Sequence, residues 1–137
     1  MHKKQAVKKP YGFPKSERLC SKKSIEQVFA SGQSIFTYPI KALFYVSKPS
    51  PSTACCQALF VVPKRKFKRA VSRNAIRRKM REAYRLNKQI LTQWCLESNV
   101  EVKIVFLYVA SDLLEFVQIQ ESIIKIMQQL AQKDVKP

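Results

Sequence analysis

Arg73, Asn74, Arg77, Arg78, Arg81 and Arg85 are the residues of this chain whose types and spacing could do chemistry. At about 100° per residue they fall within roughly 140° of one another around a helix. A guanidinium presents a planar fork of donors that can grip two phosphate oxygens at once. Asn74 can both donate and accept, so it suits a neighbouring arginine, a 2′-hydroxyl or a base edge. Like charges four apart (73/77, 77/81, 81/85) cost an isolated helix about 0.2–0.5 kcal/mol each. One carboxylate, Glu82, cannot neutralise five guanidiniums. A charged stripe is ordinarily a solvated face, but one this one-sided asks for an external anion.

The stretch just upstream, "KRKFKR" at 64–69, adds Lys64, Arg65, Lys66, Lys68 and Arg69. Backbone N–H groups at the start of the helix would face the same anion. Residues 64–88 together carry 12 basic and 1 acidic side chains. Contact with about six phosphates would make log K fall against log salt with a slope of roughly −4 to −5.

Catalysis by the protein itself is not expected. RNA cleavage by side chains needs a positioned acid and base, or carboxylates holding a metal. The only histidine is His2, and the first 88 residues offer only Glu17, Glu26 and Glu82 as acids. Glu82 is expected to pair with Arg78 or Arg85. Cys20, Cys55, Cys56 and Cys95 make no C-x-x-C pair, so free, mostly buried thiols and no metal ligands are expected. Neither of the 2 glycines sits in a phosphate-loop context.

The charge balance has the same meaning. The net charge of the 137 residues is +17, and it is lopsided. Residues 1–88 hold 22 basic and 3 acidic side chains, while residues 89–137 hold 4 and 6. Such asymmetry makes a field that draws a polyanion, nucleic acid before any other. No run of 18 apolar residues exists, so no membrane partner is expected. The basic start has no apolar stretch behind it, so a secretory signal is not expected and a cytoplasmic location is.

The elements that must position the arginines follow from periodicity. Residues 1–18, basic with Pro10 and Pro14, read as a flexible arm ahead of a single domain at 19–133. Ser21 reads as the N-cap of a helix over 22–31, closed by Gly32, with Ile25, Val28 and Phe29 as its apolar side. Strands are expected over 40–47 and 56–63, with a weak one near 34–37. The basic helix runs over 70–87, with an extension to 94 left open, and sets Ile76, Met80, Ala83 and Asn87 on its other side. A strand over 100–110 and a helix over 112–133 follow, Asp112 and Glu115 having capping-box spacing. The class is α/β (α+β): a two-layer sandwich of helices on a mainly antiparallel sheet.

The basic segment resembles the protein subunit of bacterial ribonuclease P. The family pattern is carried by Lys64-Arg65, Ala70 and the run "RNAIRRKMRE" from Arg73 to Glu82, and "ERLCSKKSIEQVFASGQSI" is similar to the family's first helix. The likeness covers roughly 17–130. It implies a fold like the second domain of ribosomal protein S5, with a left-handed βαβ crossover. It implies that the arginine helix binds the catalytic ribonuclease P RNA. It also implies a cleft between the first helix and the sheet for the single-stranded 5′ leader of precursor tRNA. Ile25 and Phe29 would line that cleft, with Phe44 or Tyr45 from the sheet; core packing is the other reading of these aromatics. The RNA would do the chemistry, using Mg²⁺, and the protein would bind no cofactor and no DNA. The chain departs from the pattern at Ala75, often arginine in the family, and at Ile25, often aromatic. A generic RNA-binding protein of the ribosome or another ribonucleoprotein is the alternative that charge alone allows.

Overall fold

The computed structural model describes residues 12–51 and 54–133. Helix α1 is Lys22–Ser31, and the Ser21 hydroxyl accepts the Ser24 N–H at 3.3 Å, as its N-cap role requires. Gly32 closes α1 with φ −77°, so no left-handed residue is needed there. Its requirement is space. A Cβ at Gly32 would lie 2.3 Å from the Val28 carbonyl oxygen and 2.8 Å from that of Phe44.

Among the described residues four strands make one sheet: β1 Gln33–Thr37, β2 Ile40–Ser47, β3 Cys56–Val61 and β4 Glu101–Tyr108. Their order is β1-β2-β4-β3, with β3 and β4 parallel and the other pairs antiparallel. Two helices, α2 (Ala70–Asn87) and α3 (Gln89–Ser98), connect the parallel pair, and α4 (Phe116–Gln132) ends the described chain. The α+β class is as expected, and the weak strand signal near 34–37 corresponds to β1.

Alternation along the strands divides two faces. On one face Ala42, Phe44, Ile104 and Phe106 meet Ile76, Met80 and Tyr84 of α2 and Ile123 and Met127 of α4. On the other, Val28 of α1 is fully buried with Leu19 and Val105. Leu43, Tyr45, Leu59, Val61 and Leu107 are half-buried around them.

Two boundaries differ from the sequence reading, and a third, left open there, is decided. The basic helix stops at Asn87, and α3 is a separate helix. Lys88 marks the joint: it is 7% exposed, and its amine donates to the Gly12 carbonyl and the Glu17 carboxylate. Helix α4 begins at Phe116, not 112. Its capping box is Glu115 with Gln118, because the Tyr108 hydroxyl donates to the Asp112 carbonyl and accepts the Leu114 N–H, holding that segment out of the helix. Residues 1–11 of the expected arm lie outside the described residues. Residues 12–18 are packed on the fold, because Phe13 gives that segment an apolar anchor. Its ring meets those of Phe60 and Tyr84 edge-on at 5.9 and 5.7 Å.

The cysteines are free, as expected, but three of them cluster. Cys55, Cys56 and Cys95 stand within 4.8 Å of one another, whereas Cys20 is exposed elsewhere. The separation of 39 positions between Cys56 and Cys95 hid this from any spacing rule.

Candidate nucleic-acid interface

The rotation of α2 is set by its core stripe. Ile76, Met80 and Ala83 are wholly buried and Tyr84 is 1% exposed, which leaves the arginine side toward solvent. Asn87, expected on the same side as the stripe, is half-buried and donates to the Ala83 carbonyl and to Gln120.

The arginines are not equivalent. Arg73 is half-buried and donates to the Phe67 and Lys68 carbonyls at 2.7 and 2.9 Å, so it ties loop 64–69 back to the helix. Arg77 is half-buried and donates to the Asn74 side-chain oxygen at 2.7 Å, which orients both. Arg85 forms a two-point ion pair with Glu82, its closest approach 2.6 Å. The hydrogen bond from Arg85 holds the Glu82 carboxyl below its ordinary range. Of the two partners expected for Glu82, the structure selects Arg85. Arg78 and Arg81 are exposed and have no acidic partner among the described residues. Lys79 is committed to the Leu114 carbonyl at 3.0 Å.

Loop 64–69 is firm for the same kind of reason. The Lys66 and Phe67 amides donate to the Pro63 carbonyl, and Phe67 is buried against Tyr108 with 5.9 Å between ring centres. The Lys66 amine reaches the Val109 carbonyl at 2.5 Å. Lys64, Arg65, Lys68 and Arg69 are left exposed. Among the described residues no side chain caps the first turn of α2, whose N-cap is Arg69. Uncapped amides beside these cations suit an anion.

Arg77 and Arg81 also line an open cavity of about 190 Å³ at the β3 edge of the sheet, with Phe13, Arg18, Leu19 and Leu59. The Arg18 guanidinium lies 5.6 Å from the centre of the Phe13 ring. Leu59 faces α1 as well, so this cavity joins the arginine side to the sheet face that α1 only partly covers.

Alternation along β2 puts Phe44 and Tyr45 on opposite faces of the sheet. Phe44 is 1% exposed and belongs to the core under α2 and α4, so it does not line a cleft beside α1. Tyr45 points to the α1 face and is half-buried there with Ile25. Phe29 is exposed. The sequence reading missed Phe36, which is exposed and pairs with Lys41 across β1 and β2. Alternation in "QSIFT", with Ile35 inward, was the signal for it.

The site is thus a built surface of cations beside a half-open apolar face. A family model described as ribonuclease P matches residues 13–131. The ribonuclease P protein component of Porphyromonas gingivalis is 33% identical over 121 residues, which is 88% of each chain. That of Chlorobium phaeobacteroides is 39% identical over 99 residues, covering 70% of this chain and 67% of its own. Among solved structures, the RNase P protein of Thermotoga maritima superposes with a TM-score of 0.65 at 20% identity, covering 82% of this chain and 96% of that one. The Staphylococcus aureus RNase P protein gives 0.63 at 19%, covering 85% and 95%. The two structures speak to the fold; the family model and the sequence relatives go further, and by them this chain belongs to the ribonuclease P protein family.

Proposed function

We propose that the arginine side of α2 and loop 64–69 bind the ribonuclease P RNA, and that the α1 face of the sheet takes the 5′ leader of precursor tRNA. The observation that carries this reading is the division of labour among the cations. Arg73 and Lys66 are spent on backbone carbonyls and Arg85 is matched by Glu82. Lys64, Arg65, Lys68, Arg69, Arg78 and Arg81 are held out with no acid beside them among the described residues. Asn74, fixed by Arg77, supplies an amide for a 2′-hydroxyl or base edge in the middle of the stripe.

The residues of α2 do not fit a Mg²⁺ of the protein's own, since its one carboxylate is committed to Arg85. Hydrolysis belongs to the RNA, and the protein positions RNA and leader in the cytoplasm without a cofactor. Bases of a single strand can stack on exposed aromatic rings, each worth about 1–3 kcal/mol. Tyr45, Phe29 and Phe36 are the rings available on the α1 side.

Two neighbouring tyrosine and phenylalanine variants separate leader contact from core packing. Tyr45→Ala is expected to weaken binding of the reconstituted enzyme to precursor tRNA by roughly 5–150-fold, an effect that disappears when the leader is trimmed away. Phe44→Ala is expected to lower stability by about 3–5 kcal/mol instead. Equal loss of affinity by Tyr45→Ala for full-length and leaderless tRNA would assign the leader to another surface.

A further inference from the structure

Three cysteines unused by any RNA contact converge where β3 begins and α3 ends. The Cys56 and Cys95 sulfurs are 3.3 Å apart, and the Cys55 sulfur completes a triangle with no side over 4.8 Å. Three thiolates on one tetrahedral cation, at about 2.3 Å from metal to sulfur, would stand roughly 3.8 Å apart. The triangle therefore needs adjustments of about an ångström or less. It sits on a fixed frame: the Cys55 carbonyl accepts the Val102 N–H at 2.8 Å, and the Cys95 carbonyl accepts that of Val100 at 3.0 Å. Cys56 and Cys95 are buried, while Cys55 is half-buried, which leaves a way in from solvent.

From this geometry we infer that Cys55, Cys56 and Cys95 form a three-thiolate site for a thiophilic cation, Zn²⁺ or Cu⁺. Thiolate donors select these soft ions over Mg²⁺ and Ca²⁺. The fourth position faces the open side at Cys55, where water or an external thiol can bind. Ligation is an exchange without electron transfer: each thiol that binds releases its proton to solvent, and one S–metal bond forms in its place. The bound cation would clamp the start of β3 to α3, and α2 lies in the chain between them.

The test is a Co²⁺ titration of the full-length protein under a phosphine reductant, which keeps disulfides from forming. Thiolate-to-cobalt charge-transfer absorption saturating at one equivalent is expected. It should vanish in Cys55→Ser and Cys95→Ser, persist in Cys20→Ser, and be bleached by Zn²⁺ or Cu⁺. Whichever of these raises the melting temperature more, at equal concentration, is the preferred ion. Should Cys95→Ser lose its far-ultraviolet circular dichroism, Cys55→Ser, altered at a half-exposed position, decides alone. No charge-transfer band in the folded wild type, a band surviving in Cys55→Ser, or cobalt retained against excess of both ions would each overturn the assignment.

Discussion

Replacing Arg77 and Arg81 together by alanine lowers the affinity for ribonuclease P RNA on the order of 100-fold. Each guanidinium contributes charge-assisted hydrogen bonds to phosphate worth about 1.5–3 kcal/mol, so two remove at least about 3 kcal/mol. The dependence of log K on log salt should flatten by about 1.4–1.8, near 0.7–0.9 for each phosphate no longer neutralised. Arg85→Ala should cost much less, because its charge is already offset by Glu82. Arg73 is a poor choice for the same experiment. It serves two backbone carbonyls, and its removal would loosen loop 64–69 as well as delete a charge. Filter binding across a salt series, with circular dichroism of each variant, measures both quantities. A double variant that stays folded and keeps the wild-type slope would remove the arginine side from the RNA interface.

The second large effect lies in the packing that aims α2. Phe106 is wholly buried in the sheet, stacked on Phe60 at 5.4 Å and tilted against Tyr84 of α2 at 5.8 Å. Phe13 meets Phe60 and Tyr84 from the N-terminal side. One aromatic cluster thus joins β4, β3, α2 and the segment before α1. Phe106→Ala is expected to destabilise the protein by about 3–5 kcal/mol, through the apolar burial it removes and the cavity it leaves behind. For a chain of this size the melting temperature should drop on the order of 10–20 °C. The exposed Phe29 provides the contrast, and Phe29→Ala should change stability by less than about 1 kcal/mol. A Phe106→Ala protein melting with the wild type would mean that the cluster does not hold α2 in place.

Much of this was legible in the residues, for reasons that can be named. The bounds of α1 follow from Ser21 and Gly32 at its two ends, local signals that tertiary contacts did not override. The core stripe Ile76, Met80 and Ala83 fixed which way the arginines face, because helical periodicity needs no long-range information. What was hidden depends on partners distant in sequence. The start of α4 is set by Tyr108 bonding to Asp112 and Leu114, and the joint at Lys88 by Glu17 and Gly12. The packing of Phe13 could not be read from a segment otherwise basic and proline-bearing. Phe44 and Tyr45 differ by one residue, and only the register of β2 against β4 assigns each to its face. Arg73 looks like its neighbours in the sequence, yet the carbonyls it serves belong to a loop whose shape no spacing rule gives.

The central claim is that this protein supports an RNA that does the cutting. The most direct measurement is cleavage of precursor tRNA at low Mg²⁺ by protein alone, by ribonuclease P RNA alone, and by the two together. The protein alone should release no leader. The RNA alone should cleave slowly, and the two together should cleave much faster at the same Mg²⁺ concentration. Leader release by purified protein without RNA, or no gain from adding protein to the RNA, would contradict the account.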